Sequence, residues 1–403
     1  MLVRILAYFV PFAINFLNGG FFFISAHRFA EAKCSGVIIG SSIAAWGISY
    51  CLVTMLIGRV VKLANALALI LSGGVVLSLV SVGFIIFDGI YTQFVWLILS
   101  GIGAALFCTP FQIFAKSIED GSRSSGTVSA TAFYTLTWSL GFASGPLAFA
   151  RLSIRQGFII TLILALAVTA SVALIALLRR KKSEKKADLP PQSQLPEKSL
   201  QLPKFTLKTF TKLAILGWIV GGLGTVTVSQ LRVMWPKLGE ELALSRDHIA
   251  YVMALVSFVQ GFTALALCRS KNWMWKRLPA LLMSFCGIIS LLGFAFAVRL
   301  SEYQWWGLPG FYLLALIYGI YSGCLYFYLV YHSLAHPERS SFFVAGNEII
   351  VGVTSMLSPL IGGLLVDFFS FTGAAFIFGA LVTLLALSAQ LILLAPSGLT
   401  EEK

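Results

Sequence analysis

The chain is 403 residues long, and 58% of its residues are hydrophobic whereas only 11% are charged. Its mean hydropathy of +0.90 excludes a soluble globular domain, because the surface of such a domain needs far more charge. The same values exclude an intrinsically disordered chain. We expect the net charge of +13 to reflect membrane topology and contact with anionic lipid, so no nucleic-acid partner is expected.

Twelve apolar stretches follow one another along the chain. Each offers the roughly 20 residues that a helix needs to cross a bilayer core about 30 Å thick. They cover residues 4–25, 36–57, 64–87, 91–115, 127–150, 157–178, 213–234, 249–268, 278–299, 308–331, 342–366 and 373–395. The alternating pattern of outer-membrane strands is not seen, so the spans are predicted to be helices. The sequence therefore predicts an all-α membrane protein with twelve transmembrane helices.

Basic residues are concentrated on one side of the predicted membrane. If both termini are cytoplasmic, most of the 29 Lys and Arg residues fall on the cytoplasmic side, as the positive-inside rule requires. The two most basic loops contain Arg179-Arg180-Lys181-Lys182 and Arg269, Lys271, Lys276 and Arg277. We therefore expect a multi-pass protein of the plasma (cytoplasmic or inner) membrane with both termini in the cytoplasm.

A central segment divides the spans into two groups of six. Residues 183–208 contain Pro190, Pro191, Pro196 and Pro203 with little apolar patterning, a composition typical of a flexible tether. We predict an N-terminal six-helix bundle over 1–178, a basic cytoplasmic linker over 179–212 and a C-terminal six-helix bundle over 213–403.

The two halves repeat short sequence patterns after their fourth spans. Lys116-Ser117 and Arg123-Ser124-Ser125 follow span 4, and His332-Ser333 and Arg339-Ser340-Ser341 follow span 10 with the same spacing. Such a match over two separated pairs is hard to obtain by chance. It predicts that the two bundles are pseudo-symmetric and arose by duplication.

Two patterns of glycine and proline add to this architecture. Span 5 contains Gly141-Phe142-Ala143-Ser144-Gly145-Pro146, and span 11 contains Pro359-Leu360-Ile361-Gly362-Gly363. Together with the six-plus-six division and the basic central loop, they make the chain resemble the major facilitator superfamily over nearly its whole length. The resemblance implies a transporter in which helices 1, 4, 7 and 10 line a cavity while one bundle rocks against the other.

The resemblance also assigns gating or structural positions. These are Gly141, Gly145, Pro146, Pro359, Gly362 and Gly363 in the spans, and Gly58, Arg59 and Lys62 in the loop after span 2. Small residues let helices approach closely, which is a structural reading of the same positions. The loop keeps the basic character of the family's motif but lacks its Asp and its second Gly.

Glu348 is the carboxylate predicted to lie well inside a span. An ionisable residue there costs about 2.5–3.5 kcal/mol on insertion scales and points to function. We expect Glu348 to exchange a proton, or alternatively to form a gating or structural bridge with Lys116, Arg339 or His332. His332 is itself a candidate for proton transfer, although its place at a helix end also fits an interfacial role.

Aromatic residues form a stripe along span 10. At 100° per residue, Tyr318, Tyr321, Tyr328 and His332 fall on one side of the helix. Phenol rings suit a sugar, an aromatic solute or an amphipathic drug, so we expect this stripe to face the cavity rather than lipid. Tyr134 and Trp138, four residues apart on span 5, form either an aromatic wall or core packing.

Several amide side chains are predicted to be buried in spans. The candidates are Asn15, Asn18, Gln112, Gln230, Gln260 and Asn347. Buried amides need hydrogen-bond partners, and they either join helices or contact substrate; both uses remain open. Arg232, at the end of span 7, is expected to snorkel to the interface rather than to attract anions.

These features favour a secondary active transporter that moves a small organic solute by alternating access. We expect proton coupling and a slight preference for efflux by antiport, with proton-coupled uptake and lipid flipping by the same fold as alternatives. A membrane transferase would need a cluster of catalytic side chains, and a channel a filter or charged ring. Neither pattern is found, so we expect no enzyme, no cofactor and no metal site, and a monomeric protein.

Overall fold

The computed structural model describes residues 2–87, 89–119, 126–187, 207–269, 273, 276–297 and 307–393. The Pro-rich part of the predicted linker, the repeated Arg123-Ser124-Ser125 pattern and Lys271 lie outside the described residues. Within these ranges the chain forms helices and no strand.

Twelve α-helices are present in the described part of the chain, which confirms the predicted all-α architecture. In chain order they are α1 (Leu2–Glu31), α2 (Gly36–Val60), α3 (Leu63–Ile86), α4 (Gln93–Glu119), α5 (Gly126–Arg151), α6 (Ile154–Ala187), α7 (Leu207–Glu241), α8 (Arg246–Leu267), α9 (Arg277–Ala295), α10 (Gly307–Leu334), α11 (Ser340–Phe369) and α12 (Gly373–Leu393). Each predicted span coincides with one helix. The helices α6 and α7 extend into both ends of the segment predicted as the linker.

Eleven of these helices are long and apolar enough to cross a membrane; α5 falls short on apolarity. Its sequence is rich in Ser and Thr, of which Thr131, Thr135 and Ser139 are buried. Because α5 packs against α1 and α8, its polar side chains lie inside the protein rather than in lipid. A helix shielded in this way can span without the uniform apolarity of its neighbours.

The helices pack as two groups joined by two main contacts. Within the first six, α1 packs on α5 and α6, and α3 packs on α4 and α6; within the last six, α7 packs on α11 and α12, and α10 packs on α8 and α9. The groups meet where α2 crosses α11 and where α5 crosses α8. This arrangement agrees with two six-helix halves, here called the N half (α1–α6) and the C half (α7–α12).

The crossing of α2 and α11 is lined by glycines. A Cβ built on Gly36 would lie 2.8 Å from the carbonyl oxygen of Gly363, and one on Gly47 would lie 2.6 Å from the backbone nitrogen of Met356. A Cβ on Gly352 would lie 2.8 Å from the Cα of Cys51. The two backbones therefore touch directly, as small residues allow in membrane helices.

The end of the bundle where α1 begins and α12 ends is called the inner end, and the opposite end the outer end, after the predicted orientation. At the outer end, Nδ1 of His27 lies 3.2 Å from a carboxylate oxygen of Glu240. Arg246 donates a hydrogen bond to the carbonyl oxygen of Phe149. These contacts join the N half to the C half, so the outer end is closed in this conformation.

Candidate transport cavity

A central cavity of about 70 Å³ lies between the two halves. Its wall is formed by side chains from α1, α2, α4 and α5 of the N half and from α7, α10 and α11 of the C half. They include Asn15, Asn18, Phe22, Trp46, Tyr50, Tyr134, Trp138, Phe142, Ser229, Arg232, Tyr326, Asn347 and Glu348. The volume holds a few water molecules, so an organic solute can enter only after the halves rearrange.

Glu348 lies on α11 and is 7% exposed. Its carboxylate accepts hydrogen bonds from the hydroxyl of Tyr50 on α2 and from Nε2 of Gln112 on α4. The bridging partners expected from the sequence are not the ones found: Nζ of Lys116 instead lies 3.1 Å from the carbonyl oxygen of Leu334. Glu348 therefore connects the C half to two helices of the N half at the cavity.

Three asparagines contribute amide groups to the cavity wall. The Nδ2 of Asn15 donates to the carbonyl oxygen of Pro11 at 2.8 Å, within its own helix. Asn347 accepts a hydrogen bond from the hydroxyl of Ser333 at 2.9 Å and donates to the carbonyl oxygen of Leu329 at 3.2 Å. In Asn18 the Oδ1 is buried, and none of the described residues donates a hydrogen bond to it. The Oδ1 of Asn18 is therefore available to accept a hydrogen bond from a ligand.

Aromatic side chains from both halves form much of the cavity wall. Tyr134 and Trp138 both line the cavity, as one of the two interpretations of this pair expects. Trp138 packs against Tyr326 of α10 with ring centroids 4.8 Å apart, and Trp46 stacks on Tyr50 at 4.6 Å. The rings offer flat apolar surfaces to a solute.

The aromatic stripe predicted on span 10 lies inside the C half. The hydroxyl of Tyr318 is 2.8 Å from that of Thr227 on α7, and the hydroxyl of Tyr321 is 3.5 Å from that of Thr383 on α12. Tyr328 and His332 pack edge to face at 4.3 Å, buried. The cavity is instead lined by Tyr326, on a different side of the same helix. This placement corrects the expected orientation of the stripe, and it leaves His332 buried rather than interfacial.

Two of the predicted amides join helices instead of lining the cavity. The Nε2 of Gln230 donates to the carbonyl oxygen of Ser358 at 2.7 Å, which ties α7 to α11. The Nε2 of Gln260 donates to the hydroxyl of Ser139 at 2.7 Å, which ties α8 to α5 across the two halves. Both therefore fit the interhelical interpretation.

The glycine and proline positions named from the family resemblance lie at close helix contacts. A Cβ on Gly145 would lie 2.5 Å from the backbone nitrogen of Gly20, and one on Gly141 would lie 2.9 Å from that of Phe16. In α11, Gly362 packs against the amide of Gln230 and Gly363 against the backbone of Gly36. Pro146 and Pro359 lie inside α5 and α11.

The positions from the loop after span 2 lie at the inner end. A Cβ on Gly58 would lie 3.0 Å from that of Ala345, which places this part of α2 against α11. Arg59 and Lys62 are exposed. The backbone N–H of Lys62 donates to Oδ1 of Asn65 at 2.7 Å, so the loop is closed by a local hydrogen bond.

Among the cavity residues that the sequence interpretation missed or misplaced are Trp46, Tyr50 and Arg232. Trp46 and Tyr50 are four residues apart and so share one face of α2, a signal equal to the one used for Tyr134 and Trp138. Arg232 was expected to reach the interface, but its guanidinium lies 4.0 Å from the ring centroid of Phe142, in the cavity wall. All three bring polar or π-electron groups to the same space.

Comparison with known proteins agrees with this architecture. The sequence profile of the Major Facilitator Superfamily matches residues 6–347. The crystal structure of nucleoside transporter NupG is similar, with a TM-score of 0.64 and 14% identity over 98% of this chain and 100% of that one. A mutant of the same transporter gives a TM-score of 0.59 at 14% identity over 97% of this chain and 98% of that one.

At 14% identity the structural similarity establishes the fold alone, whereas the sequence profile establishes the family. A search of curated protein sequences found no match. The profile spans most of the chain, and the helices, their two groups and the enclosed cavity are those that the family would require. This chain belongs to the Major Facilitator Superfamily and is a multi-pass membrane transporter, not an enzyme.

Proposed function

We propose that this transporter is a proton-coupled secondary carrier of a small organic solute, with Glu348 as the coupling residue. The observation that carries the proposal is the position of Glu348, a buried carboxyl in the wall of the cavity whose two hydrogen-bond donors belong to the other half. A carboxyl in a membrane interior is costly to charge and can take up and release a proton. Its partners are also the groups that must separate when the halves move.

The hydrogen bonds of Glu348 provide a physical link between protonation and movement. When the carboxylate is charged, the bonds from Tyr50 and Gln112 are charge-assisted and hold α11 against α2 and α4. Protonation removes the charge from the acceptor, and a neutral hydrogen bond contributes about half as much. The contact therefore weakens on protonation, which favours separation of the halves at this level of the bundle.

The proposal also covers the orientation of the protein in the membrane, the boundaries of its two bundles and the direction of transport. We place both termini in the cytoplasm of a cell whose plasma or inner membrane holds the carrier as a monomer. The functional units are residues 1–178 and 213–403, tethered by 179–212. The glycine-proline pattern of α5, which resembles that of exporters, favours efflux by proton antiport, and uptake by proton symport is the alternative direction.

Transport by reconstituted protein tests the coupling role of Glu348. Proteoliposomes are given a pH gradient and a panel of labelled sugars, amino acids, nucleosides, organic anions and cationic dyes. Wild type should accumulate or expel its solute against a concentration gradient, and Glu348→Gln should lose this while still exchanging solute across the membrane. Glu338→Gln, which removes a carboxylate from the α10–α11 connection, is the matched control and should keep uphill transport.

The same preparation separates the proposal from its main competitor. Uphill transport that persists in Glu348→Gln would remove Glu348 from the coupling role. Lipid flipping is a second use to which an aromatic cavity can be put, and it is measured with fluorescent lipids in the same vesicles. Flipping by wild type without movement of any water-soluble solute would replace the solute carrier by a lipid carrier.

A further inference from the structure

Arg232 supplies a positive charge to the cavity from α7. Its guanidinium carbon lies 4.0 Å from the ring centroid of Phe142 and 5.4 Å from that of Trp138, both on α5. The side chain is partly buried and lines the cavity. Arg232 therefore reaches from the C half to the N half, with its planar group lying over aromatic rings.

No carboxylate in the described part of the chain pairs with this guanidinium. The ion pairs of the described residues join His27 to Glu240 and Lys237 to Glu241, and within these residues the interactions of Arg232 are with the two rings. A cation over an aromatic face gains about 0.5–2 kcal/mol, but stacking provides no acceptor for the five N–H donors of the guanidinium. No side chain of the described residues supplies one. A charge in the wall of a largely aromatic cavity is normally paired, so this one is suited to an acceptor that arrives with a ligand.

Asn18 is a second, independent observation in the same cavity. The residue is 2% exposed and lines the cavity from α1, and no donor in the described part of the chain reaches its Oδ1. A buried acceptor that is left without a hydrogen bond costs about 1–3 kcal/mol of folding free energy. A ligand with an N–H or O–H group would satisfy it, while an oxyanion on the same ligand would satisfy Arg232.

We infer that the transported solute is an organic anion whose carboxylate or phosphate group binds Arg232 and whose apolar or aromatic body packs against Trp138, Phe142 and Tyr326. The inference rests on the proposed function, since it assigns the solute of the same cavity. Guanidinium binds carboxylate and phosphate with two parallel hydrogen bonds. A neutral solute of the same shape would leave this charge without an acceptor and should bind more weakly.

Binding to purified protein in nanodiscs near neutral pH tests this inference without a gradient. The probes are two matched pairs, benzoate with benzamide and uridine monophosphate with uridine, followed by thermal shift and calorimetric titration. Members of a pair share their ring and differ in charge. We expect the anion of at least one pair to bind about tenfold more tightly than its neutral partner. Equal or tighter binding of the neutral partner in both pairs, or binding of neither anion, overturns the inference.

Variants at Arg232 identify the residue responsible. Arg232→Gln should abolish the preference for the anion while leaving the neutral partner's affinity unchanged, and Arg232→Lys should keep part of the preference. Arg151→Gln is the matched control, because Arg151 also lies over an aromatic ring, that of Tyr251, outside the cavity. If Arg232 only joined the halves by stacking, Arg232→Gln would weaken both members of a pair equally, and the inference would be wrong.

Two further arms keep this result separate from other outcomes. Short-chain phosphatidate is titrated beside uridine monophosphate, and binding about tenfold tighter by the lipid would overturn the assignment to a water-soluble solute. The coupling role is tested apart from binding, by transport in Glu348→Gln. Loss of pH-driven transport in that variant tests the coupling role, whereas the binding preference tests Arg232, so either can fail alone.

Discussion

Asp367, in the last turn of α11, accepts a hydrogen bond of 2.7 Å from the backbone N–H of Gly36 at the first turn of α2. Its other carboxylate oxygen accepts from the N–H of Val37 at 3.0 Å. The first N–H groups of a helix have no partner within it, and their end of the helix carries a partial positive charge. A carboxylate from the C half therefore caps a helix of the N half at the outer end.

Removal of this cap should make the outer end open more often. Asp367→Ala loses a cap that contributes about 1 kcal/mol at such a site, which corresponds to about a fivefold change in the ratio of closed to open molecules. The readout is the rate at which Cys108, a residue of the cavity wall, reacts with a membrane-impermeant thiol reagent added at the outer side. The other five cysteines are first replaced by Ala.

Asp247→Ala provides the control for this experiment. Asp247 is an acidic residue at the outer end too, in the first turn of its own helix, α8. Asp367 differs because it caps a helix of the opposite half. Labelling of Cys108 should rise in Asp367→Ala and stay near the wild-type rate in Asp247→Ala. An equal rate in both variants would argue against a role for the cap in closing the outer end.

Substitution of Gly141 should destabilise the N half. A Cβ at this position would lie 2.9 Å from the backbone nitrogen of Phe16 and closer still to the carbonyl oxygen of Phe12. Because backbone atoms cannot move aside as side chains do, we expect Gly141→Ala to cost about 1–3 kcal/mol. The measurement is the midpoint of thermal unfolding in detergent, followed by tryptophan fluorescence.

Gly379, a glycine with room for a methyl group, is the control for the substitution of Gly141. A Cβ on Gly379 of α12 would lie 3.4 Å from the nearest atom of Leu291, an ordinary contact distance. Gly379→Ala should therefore leave the unfolding midpoint unchanged or raise it, since Ala favours helix over Gly. If both variants melt at the same temperature, the close approach of α1 and α5 does not limit stability.

His336 should make the stability of the protein depend on pH. It lies in the connection between α10 and α11, where its Nδ1 accepts the backbone N–H groups of Glu338 and Arg339 at 3.3 and 3.0 Å. Burial lowers its pKa below 6.5; Arg339 and Lys116 lower it further, while Glu338 opposes the change. The folded protein therefore favours the neutral ring.

The sign of the pH effect follows from this depressed pKa. The stabilisation by His336 is fully present above the unfolded value of 6.5, and it is lost as pH falls through the lower pKa of the folded protein. Wild type should lose thermal stability on acidification by more than His336→Asn does, because Asn keeps an acceptor but does not titrate. Parallel melting curves for the two proteins over this range would contradict the prediction.

Hydropathy was enough to predict the helices because each span must bury its backbone in lipid. Glu348 could be singled out for the same reason, as a carboxylate in an otherwise apolar span. The orientation of each helix was harder to predict. Periodicity tells which residues share a side, as with Tyr318 and Tyr321, but it does not tell which neighbouring helix that side meets.

Arg232 shows how a helix boundary decides the interpretation of a residue. The predicted span ends at residue 234, which puts Arg232 at the interface, whereas α7 continues to Glu241. At 1.5 Å per residue, Arg232 lies about 13 Å from the end of the helix. The apolar run ends before the helix does, because Lys237, Glu240 and Glu241 extend it with polar residues that hydropathy excludes.

The glycines at the crossing of α2 and α11 affect how easily the two halves move against each other. Helices whose side chains interdigitate can shift only in discrete steps, since each side chain must leave the groove of the facing helix before the next position is reached. At Gly36, Gly47, Gly352 and Gly363 few side chains interdigitate, so α2 and α11 can rotate against each other without first separating. Resistance to turning then comes from the polar contacts at the two ends and at Glu348. In the proposed mechanism, the proton and the solute act on these contacts and thereby control the movement of the two halves.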